Sequence, residues 1–476
     1  LFVEQSVENE TTSFRNGRMM FGRFKTLHFV GIGGAGMSGI AEILKNLGFA
    51  VTGSDSSPSE VTEYLQRLGI AIQPTHAREN VAQADVLVIS SAVGEKNPEV
   101  AEARRLGIPV IKRAEMLGEL MRLKFAVGVA GTHGKTTTTS MIGRIFQAAD
   151  LKPTLIVGGV VAELGTGASL GQGDYLIAEV DEYDRSIFAM FPSMAVVLNV
   201  EPDHLDCYDD MDDLRNAFLS YINRVPFFGS AVLSADDPNV VGMLAKVQRP
   251  YVTFGFAENA DYRAVDISRR NNTSVFTVLR KQELLGEISL RVPGRYNIAN
   301  ALAAIAAATE LEVPFEVIAR TLADFRGVGR RFELIGEVND IVVVDDYAHH
   351  PTELRAVLQA ARETYDRRLL VVFQPHLFSR TRDFAGEFAE VLALADLCIL
   401  TDIYPAREEP IEGVTSDLIR ALAAERGHTQ FRYVGTKENA LPELEKLARP
   451  GDLIMTIGAG SITHIRKKIL ERLAVR

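Results

Sequence analysis

The chain has 476 residues, 47% apolar and 24% charged, with a formal charge of −11 and two cysteines. Those proportions exclude a disordered, collagenous or disulfide-stapled chain, and at roughly 150 residues per domain the length predicts about three domains. The acidic balance argues against a nucleic-acid or anionic-membrane binder, so any anionic ligand must be held by local features. Cys207 and Cys398 show no metal or redox spacing, which fits a reducing cytosol. No apolar run approaches the ~18–20 residues that span a bilayer, and no signal-peptide pattern is present; a cytoplasmic protein is expected. Residues 1–23 are polar and mixed, and are expected to be an extension or disordered, with Met19 or Met20 near the natural start.

A short apolar strand, a Gly- or Ser-rich turn and a helical pattern recur in three blocks, which predicts α/β layers with parallel sheets. The first block has strands near Leu27–Val30, Ala50–Thr52, Val86–Ile89 and Val110–Ile111, with a helix over Met37–Leu47. The second has strands at Phe125–Ala130, Tyr175–Ala178, Ala195–Asn199 and Ala231–Ser234. Polar alternation over Asp261–Leu290 then predicts a small antiparallel insertion, and the Ala-rich stretch Ile298–Leu311 a tightly packed helix. Strands near Ile341–Val344, Leu369–Phe373, Leu397–Leu400 and Leu453–Thr456 make the third block. Junctions are expected at Glu115–Lys124 and at Gly327-Val-Gly-Arg-Arg331, giving domains over 24–123, 124–330 and 331–476.

In open α/β sheets, ligands bind beyond the carboxyl ends of strands. Gly31-Ile-Gly33-Gly34-Ala35-Gly36 follows a strand, precedes a helix and has Asp55 at the end of the next strand. Such a turn lets the backbone approach a diphosphate, which the helix N-terminus stabilises. A nicotinamide dinucleotide is one candidate, although Gly34 and Met37-Ser38-Gly39 make an unusual fingerprint for it. Gly131-Thr132-His133-Gly134-Lys135-Thr136-Thr137 is a shortened phosphate-binding loop. Its backbone N–H groups suit phosphates, Lys135 the β/γ oxygens and the Thr136 hydroxyl Mg²⁺. Two acidic strand ends, Glu179-Val-Asp181-Glu182 and Glu201-Pro-Asp203-His204-Leu-Asp206, offer metal partners, with Glu179 and His204 as direct or water-bridged ligands.

Together these motifs resemble the Mur ligases, the ATP-dependent amide-forming enzymes of bacterial peptidoglycan synthesis. The resemblance rests on Gly31–Gly39, Gly131–Thr137, Ala178–Glu182, Glu201–His204, Gly294-Arg-Tyr-Asn297, Arg330-Arg-Phe332, Asp345-Asp-Tyr-Ala-His-His-Pro351, Gln374-Pro-His376 and Ser379-Arg-Thr-Arg382, in order along the chain. Within the family, the Gly-rich first block points to the alanine-adding branch. The resemblance implies a Rossmann-like N-terminal domain for UDP-N-acetylmuramate, a central P-loop-type α/β domain for Mg-ATP, and a Rossmann-like C-terminal domain that brings L-alanine. The muramyl carboxylate would be activated as an acyl phosphate and attacked by the alanine amine, releasing ADP and phosphate. No nucleic-acid or membrane partner is expected, and the chain is expected to be a monomer or weak homodimer.

Residue by residue, the resemblance assigns Gly33, Gly34, Ala35, Gly36, Met37, Ser38, Asp55, His76 and Ser91 to the UDP-sugar. It assigns the Gly131–Thr137 loop, Asn297, Asn300, Arg330, Arg331 and Asp346 to ATP. Asn297 and Asn300 sit one helical turn apart, so both amides can face one way. Thr136, Glu179 and His204 would hold the metal, and Lys135 would neutralise phosphate charge. Tyr347, His349, Arg380 and Arg382 are the amino-acid candidates. If the segment after Leu369–Phe373 is extended, only one of Arg380 and Arg382 faces the site, and Arg380 is preferred. His349 or His350 would orient or deprotonate the incoming ammonium.

Two departures from the family pattern stand out. Some relatives carry a carbamoylated lysine after the Asp-His motif, but Leu214–Tyr221 has no lysine, so no carbamate is expected. Leu377-Phe378 replaces a more polar pair found in some members. The alternatives are an NAD(P)-dependent oxidoreductase using the first turn, or a nucleotide-dependent switch protein. The first leaves Gly-Lys-Thr unexplained, and the second leaves the first turn and the histidine-rich strand end unexplained.

Overall fold

Three sheets account for the three α/β blocks. The computed structural model describes residues 22, 24–34, 36–90, 92–157, 168–202, 207–270, 273–406 and 408–475. The expectation for 1–23 (Gly22 apart) and the candidate residues Ala35, Ser91, Asp203, His204 and Asp206 lie outside the described residues.

The first sheet is wholly parallel, in the order β3-β2-β1-β4-β5. Its strands are β1 (Thr26–Val30), β2 (Ala50–Ser54), β3 (Ala71–Gln73), β4 (Val86–Ile89) and β5 (Val110–Lys112). Strand order reverses between β1 and β4, so the Gly-rich turn after β1 occupies the switch point where such sheets open a crevice. β3 escaped the sequence reading because Ala71 and Gln73 of this three-residue edge are exposed, leaving no apolar run to detect.

Ten strands form the second sheet, in the order β15-β14-β13-β12-β11-β10-β6-β9-β7-β8. They are β6 (Phe125–Ala130), β7 (Thr154–Ile156), β8 (Ala168–Ser169), β9 (Tyr175–Val180), β10 (Met194–Val197), β11 (Ser230–Ser234), β12 (Tyr251–Gly255), β13 (Tyr262–Arg270), β14 (Thr273–Arg280) and β15 (Glu283–Leu290). The central run from β12 to β7 is parallel, and its Val/Ile/Ala-rich members are buried on both faces. The Asp261–Leu290 stretch forms three strands, as its alternation predicts, and the structure adds how they are placed: β13 pairs in parallel with β12, so β13–β15 continue the central sheet.

The third sheet runs β16-β17-β21-β18-β19-β20, parallel except for the antiparallel edge β16. It comprises β16 (Glu333–Val338), β17 (Ile341–Asp346), β18 (Arg368–Phe373), β19 (Leu397–Leu400), β20 (Phe431–Tyr433) and β21 (Asp452–Ile457). The sequence reading missed both edges of this sheet.

The chain divides into two compact units. One comprises Leu1–Val265, Thr277–Glu287 and Ala299–Leu322; the other comprises Asp266–Phe276, Ile288–Ile298 and Ala323–Arg476. The first unit holds one hydrophobic cluster running from Leu27 and Phe29 through Met116, Leu117 and Leu120 to Ile187, Met190 and Phe218. The first and second blocks therefore share a core, carried by the Arg113–Met121 helix at the expected junction. In the second unit, apolar side chains cover both faces of β17, β18 and β21.

Candidate active site

At the first Gly-rich turn, Asp55 is bonded to the turn itself. Its Oδ2 accepts the Gly33 N–H at 2.8 Å and its Oδ1 the Ser57 N–H at 3.0 Å. The Gly31 and Ile32 N–H groups both donate to the Ser54 carbonyl, at 2.8 and 3.1 Å, which ties the turn to the end of β2. Gly34 is exposed, while Gly33, Gly36 and Ser38 are half-buried around the helix start. Met37 is fully buried and its N–H donates to the Gly34 carbonyl, which packs the helix under the turn.

Behind this turn lies a residue that the sequence reading missed. Glu99 is fully buried at the start of the Pro98–Leu106 helix. Its carboxylate accepts from Ser54 Oγ at 2.7 Å, His76 Nδ1 at 3.1 Å, Asn80 Nδ2 at 2.6 Å and, at 3.4 Å, from His28 Nε2. Burial pushes its pKa up, but the hydrogen bonds from His28, Ser54 and Asn80 outweigh that and hold it below the ordinary glutamate value. A His in the middle of β1, buried to 1% exposure, was the one signal in the sequence that a polar partner had to lie inside.

The second turn follows β6 and opens the Lys135–Ala148 helix. β6 lies between β10 and β9, so the turn is flanked by two strand ends that carry acids. Glu179, half-buried, is level with Val129 of β6, and Glu182 follows the end of β9. On the other side, Asn199 clasps the turn: its carbonyl accepts the Thr132 N–H, its Oδ1 the His133 N–H, and its Nδ2 donates to the His133 carbonyl. The Glu201 N–H donates to Thr132 Oγ1 at 2.9 Å, and Glu201 Oε2 lies 3.5 Å from His133 Nε2.

Lys135 turns back into its own loop. Its ammonium donates to the Gly131 carbonyl at 2.6 Å, the Thr132 carbonyl at 3.3 Å and Glu182 Oε2 at 2.9 Å, with Glu182 only 2% exposed. Burial pulls the lysine pKa down, but Glu182, Asp181 and Glu179 together overrule it and hold the pKa above the ordinary value. The lysine is therefore charged throughout the neutral range. Gly134 has φ +86°, and a Cβ there would lie 2.5 Å from Asn300 Oδ1. Asn300 is thus packed directly against the loop backbone, whereas Asn297 Nδ2 donates to the Pro293 carbonyl at 2.6 Å. Both are buried on the Arg295–Glu310 helix.

In the second unit the candidates gather beyond β17 and β18. Asp346 is buried with both oxygens committed, Oδ2 to the Phe332 N–H and Oδ1 to the Ala348 N–H, each at 2.7 Å. These two bonds brace the backbone at Phe332 and at Ala348. Burial raises its pKa to about 6. Arg330 and Arg331 both lie over the Tyr347 ring, 4.6 and 5.1 Å from its centroid. Arg330 also donates to the Gly458 carbonyl after β21, and Arg331 lies 3.7 Å from Glu353. His350 caps the Pro351–Thr364 helix, its Nδ1 accepting the Thr352 N–H. That bond requires the Nε2–H tautomer and makes His350 the weaker base candidate. His349 contacts Tyr347 and His376 edge-on, and His376 stacks on Tyr404. Tyr404, on an isolated bridge to His376, carried no signal in the sequence.

The segment after β18 is helical over Phe378–Asp383, not extended. Arg380 is buried there, at 8% exposure, and Arg382 is outward and paired with Asp383 at 2.7 Å. The separation of the two arginines was anticipated, but its cause is helical rotation rather than strand alternation.

Three family models match in chain order: "Mur ligase family, catalytic domain" over residues 26–125, "Mur ligase middle domain" over 129–308 and "Mur ligase, glutamate ligase domain" over 330–460. The chain is 49% identical to the UDP-N-acetylmuramate–L-alanine ligase of Geotalea uraniireducens, over 95% of this chain and 99% of that one. It is 50% identical to the ligase of the same name from Salinibacter ruber, over 95% and 96%. The chain belongs to the Mur ligase family.

Among solved structures, the UDP-N-acetylmuramate–alanine ligase of Thermotoga maritima superimposes with a TM-score of 0.78 at 30% identity, covering 94% of this chain and 99% of that one. The murein peptide ligase of Psychrobacter arcticus gives 0.69 at 26% identity, over 94% and 99%. These matches bear out the resemblance and the Mur ligase architecture of N-terminal, middle and C-terminal α/β domains. They give the oxidoreductase alternative no support. No helix among the described residues is long and apolar enough to cross a membrane.

Proposed function

We propose that this Mur ligase joins L-alanine to the carboxylate of UDP-N-acetylmuramate at the expense of ATP, releasing ADP and phosphate. The observation that carries the reading is identity near 50%, over almost the whole of both chains, to ligases of that name. The 24–123 region takes the UDP-sugar, 124–330 takes ATP and 331–476 takes the amino acid. We assign the protein to the cytoplasm, as a monomer or weak homodimer. Two cysteines, both free thiols, support the reducing compartment.

A carboxylate does not accept an amine until one oxygen becomes a leaving group. Transfer of the γ-phosphoryl group provides that, and the protein's work is positioning and charge neutralisation. Lys135 is suited to it: a charged ammonium exchanges the Gly131 carbonyl and Glu182 for phosphate oxygens. The Thr136 hydroxyl at the helix start and half-buried Glu179 at the end of β9 are oxygen donors that fit a hard divalent cation such as Mg²⁺. When bound, that ion neutralises phosphate charge. Tyr347, His349 and Arg380 are our candidates for L-alanine, with the Arg380 guanidinium on its carboxylate, while Arg330 and Arg331 are candidates for phosphate oxygens.

ADP release is measured with UDP-N-acetylmuramate, Mg-ATP and L-alanine, omitting each in turn. Turnover requires all three if the reading is right; NAD(P)H absorbance changes without ATP would overturn it. In the same assay Arg380→Ala raises the KM for L-alanine about tenfold or more, as loss of a charged hydrogen bond does, and leaves the KM for ATP unchanged. An unmoved alanine KM removes Arg380 from this role.

A further inference from the structure

Glu99 is used by nothing in the proposed chemistry, yet it is the most heavily hydrogen-bonded buried acid beside the first Gly-rich turn. It is 0% exposed and draws donors from three elements: Ser54 at the end of β2, His28 in the middle of β1, and His76 with Asn80 on the segment after β3. An ionised carboxylate only accepts, so His76 Nδ1 must carry its proton toward Glu99. The same Nδ1 lies 2.9 Å from Ser54 Oγ. This pins one edge of the imidazole inside the protein. The opposite edge carries Nε2, and the His76 side chain is 25% exposed.

Ser54 links this cluster to the turn. Its carbonyl holds the Gly31 and Ile32 N–H groups, while its hydroxyl touches both Glu99 and His76. The ring is therefore fixed relative to the backbone that would meet the diphosphate. In a chain of charge −11, the ligand has to be held by local features such as this fixed ring edge.

We propose that Glu99 is a positioning residue for the UDP-sugar: it locks His76 with Nδ1–H inward and the Nε2 lone pair outward, where it accepts from a hydroxyl or N–H of the ligand held by the turn after β1. The proposal rests on the reading of that turn as the UDP-sugar site. It makes His76 the contact and Glu99 the residue that acts through it.

The test is direct binding of UDP-N-acetylmuramate by calorimetry, beside steady-state kinetics, for wild type, Glu99→Gln, His76→Ala and the double variant. Glu99→Gln and His76→Ala should each weaken UDP-sugar binding about tenfold, the scale seen when a residue that orients a ligand-holding histidine is lost. The KM for ATP and kcat should stay within about twofold, since the effect is uniform binding. The double variant should bind no more weakly than His76→Ala alone, because Glu99 has no route to the ligand except through the ring. Additive losses, or a KM for ATP that rises in parallel, would mean that Glu99 merely supports the fold. His76→Ala replaces a partly exposed side chain and guards against misfolding of Glu99→Gln: if it binds like wild type, the proposal falls whatever Glu99→Gln does. If wild type itself binds no UDP-N-acetylmuramate, the substrate reading fails first and the proposal with it.

Discussion

Lys135 shows how much one side chain's meaning depends on its neighbours. Sequence motif chemistry sends it to a phosphate; the structure ties it to two carbonyls and Glu182. The two fit together, because a buried ammonium must have partners before the ligand arrives. Lys135→Ala should abolish turnover while leaving UDP-N-acetylmuramate affinity within about twofold, since the two sites follow different strands. Equal loss of both, measured by calorimetry and ADP release, would contradict that division. Asp346 is a motif acid that also braces the backbone, through the Phe332 and Ala348 N–H groups. Its pKa of about 6 lies above the unfolded value of 3.8, so the folded state retains a proton that the unfolded chain has lost between those values. Stability from this group is therefore fully present below ~4, falls as pH rises through ~6, and is flat above. Against an Asp346→Asn reference, wild type should lose about 3 kcal/mol of unfolding free energy across that window. A constant difference in denaturant unfolding from pH 4 to 7 would rule this out.

At the scale of elements, the central strand β6 is shaped by a contact no pattern announces. The Tyr221 hydroxyl, on the Met211–Asn223 helix, donates to the Gly128 carbonyl at 2.8 Å and sits where a Cβ on Gly128 would be. Gly128 thus gives up strand propensity to admit a buried hydroxyl. Tyr221→Phe should cost about 1–2 kcal/mol, the price of one buried hydrogen bond. Gly128→Ala should cost more, about 2–4 kcal/mol, by overpacking beside Met121 and Val180. Combining the two should cost less than their sum, because the phenylalanine ring lacks the colliding oxygen; strict additivity in thermal unfolding would refute the clash. The site loops were legible at this scale because strand, turn and helix are local. What was not legible was each loop's anchoring: Asn199 on Thr132 and His133, or Ser54 on Gly31, joins residues distant in sequence.

For the whole molecule, the charge of −11 and the anionic substrates set an expectation about rates. A protein without a global positive field does not steer anions, so its association rate should not collapse in salt. Raising ionic strength from about 20 to about 200 mM should change kcat/KM for UDP-N-acetylmuramate less than about threefold. A drop beyond tenfold would reveal a focused basic channel. Cores, too, are a property of this scale. The first two blocks read as separate domains, yet they share one hydrophobic cluster through Met116, Leu117 and Leu120.

The sequence by itself determined the α/β class, the two phosphate-type turns, the acidic strand ends and the family, because each is written in contiguous residues with a fixed spacing. It also marked Lys135, Glu179 and Arg380 as chemistry-bearing. Only the tertiary structure decided which partner each side chain has: Asp55 on Gly33, Asp346 on Phe332 and Ala348, and Glu99 on His28, Ser54, His76 and Asn80. It also decided that Arg380 is buried on a helix and that β13–β15 continue the main sheet. The physical reason is the same throughout. Buried polar groups must be satisfied, and their partners come from whichever strand or helix the fold brings alongside, at a sequence distance that no local pattern encodes.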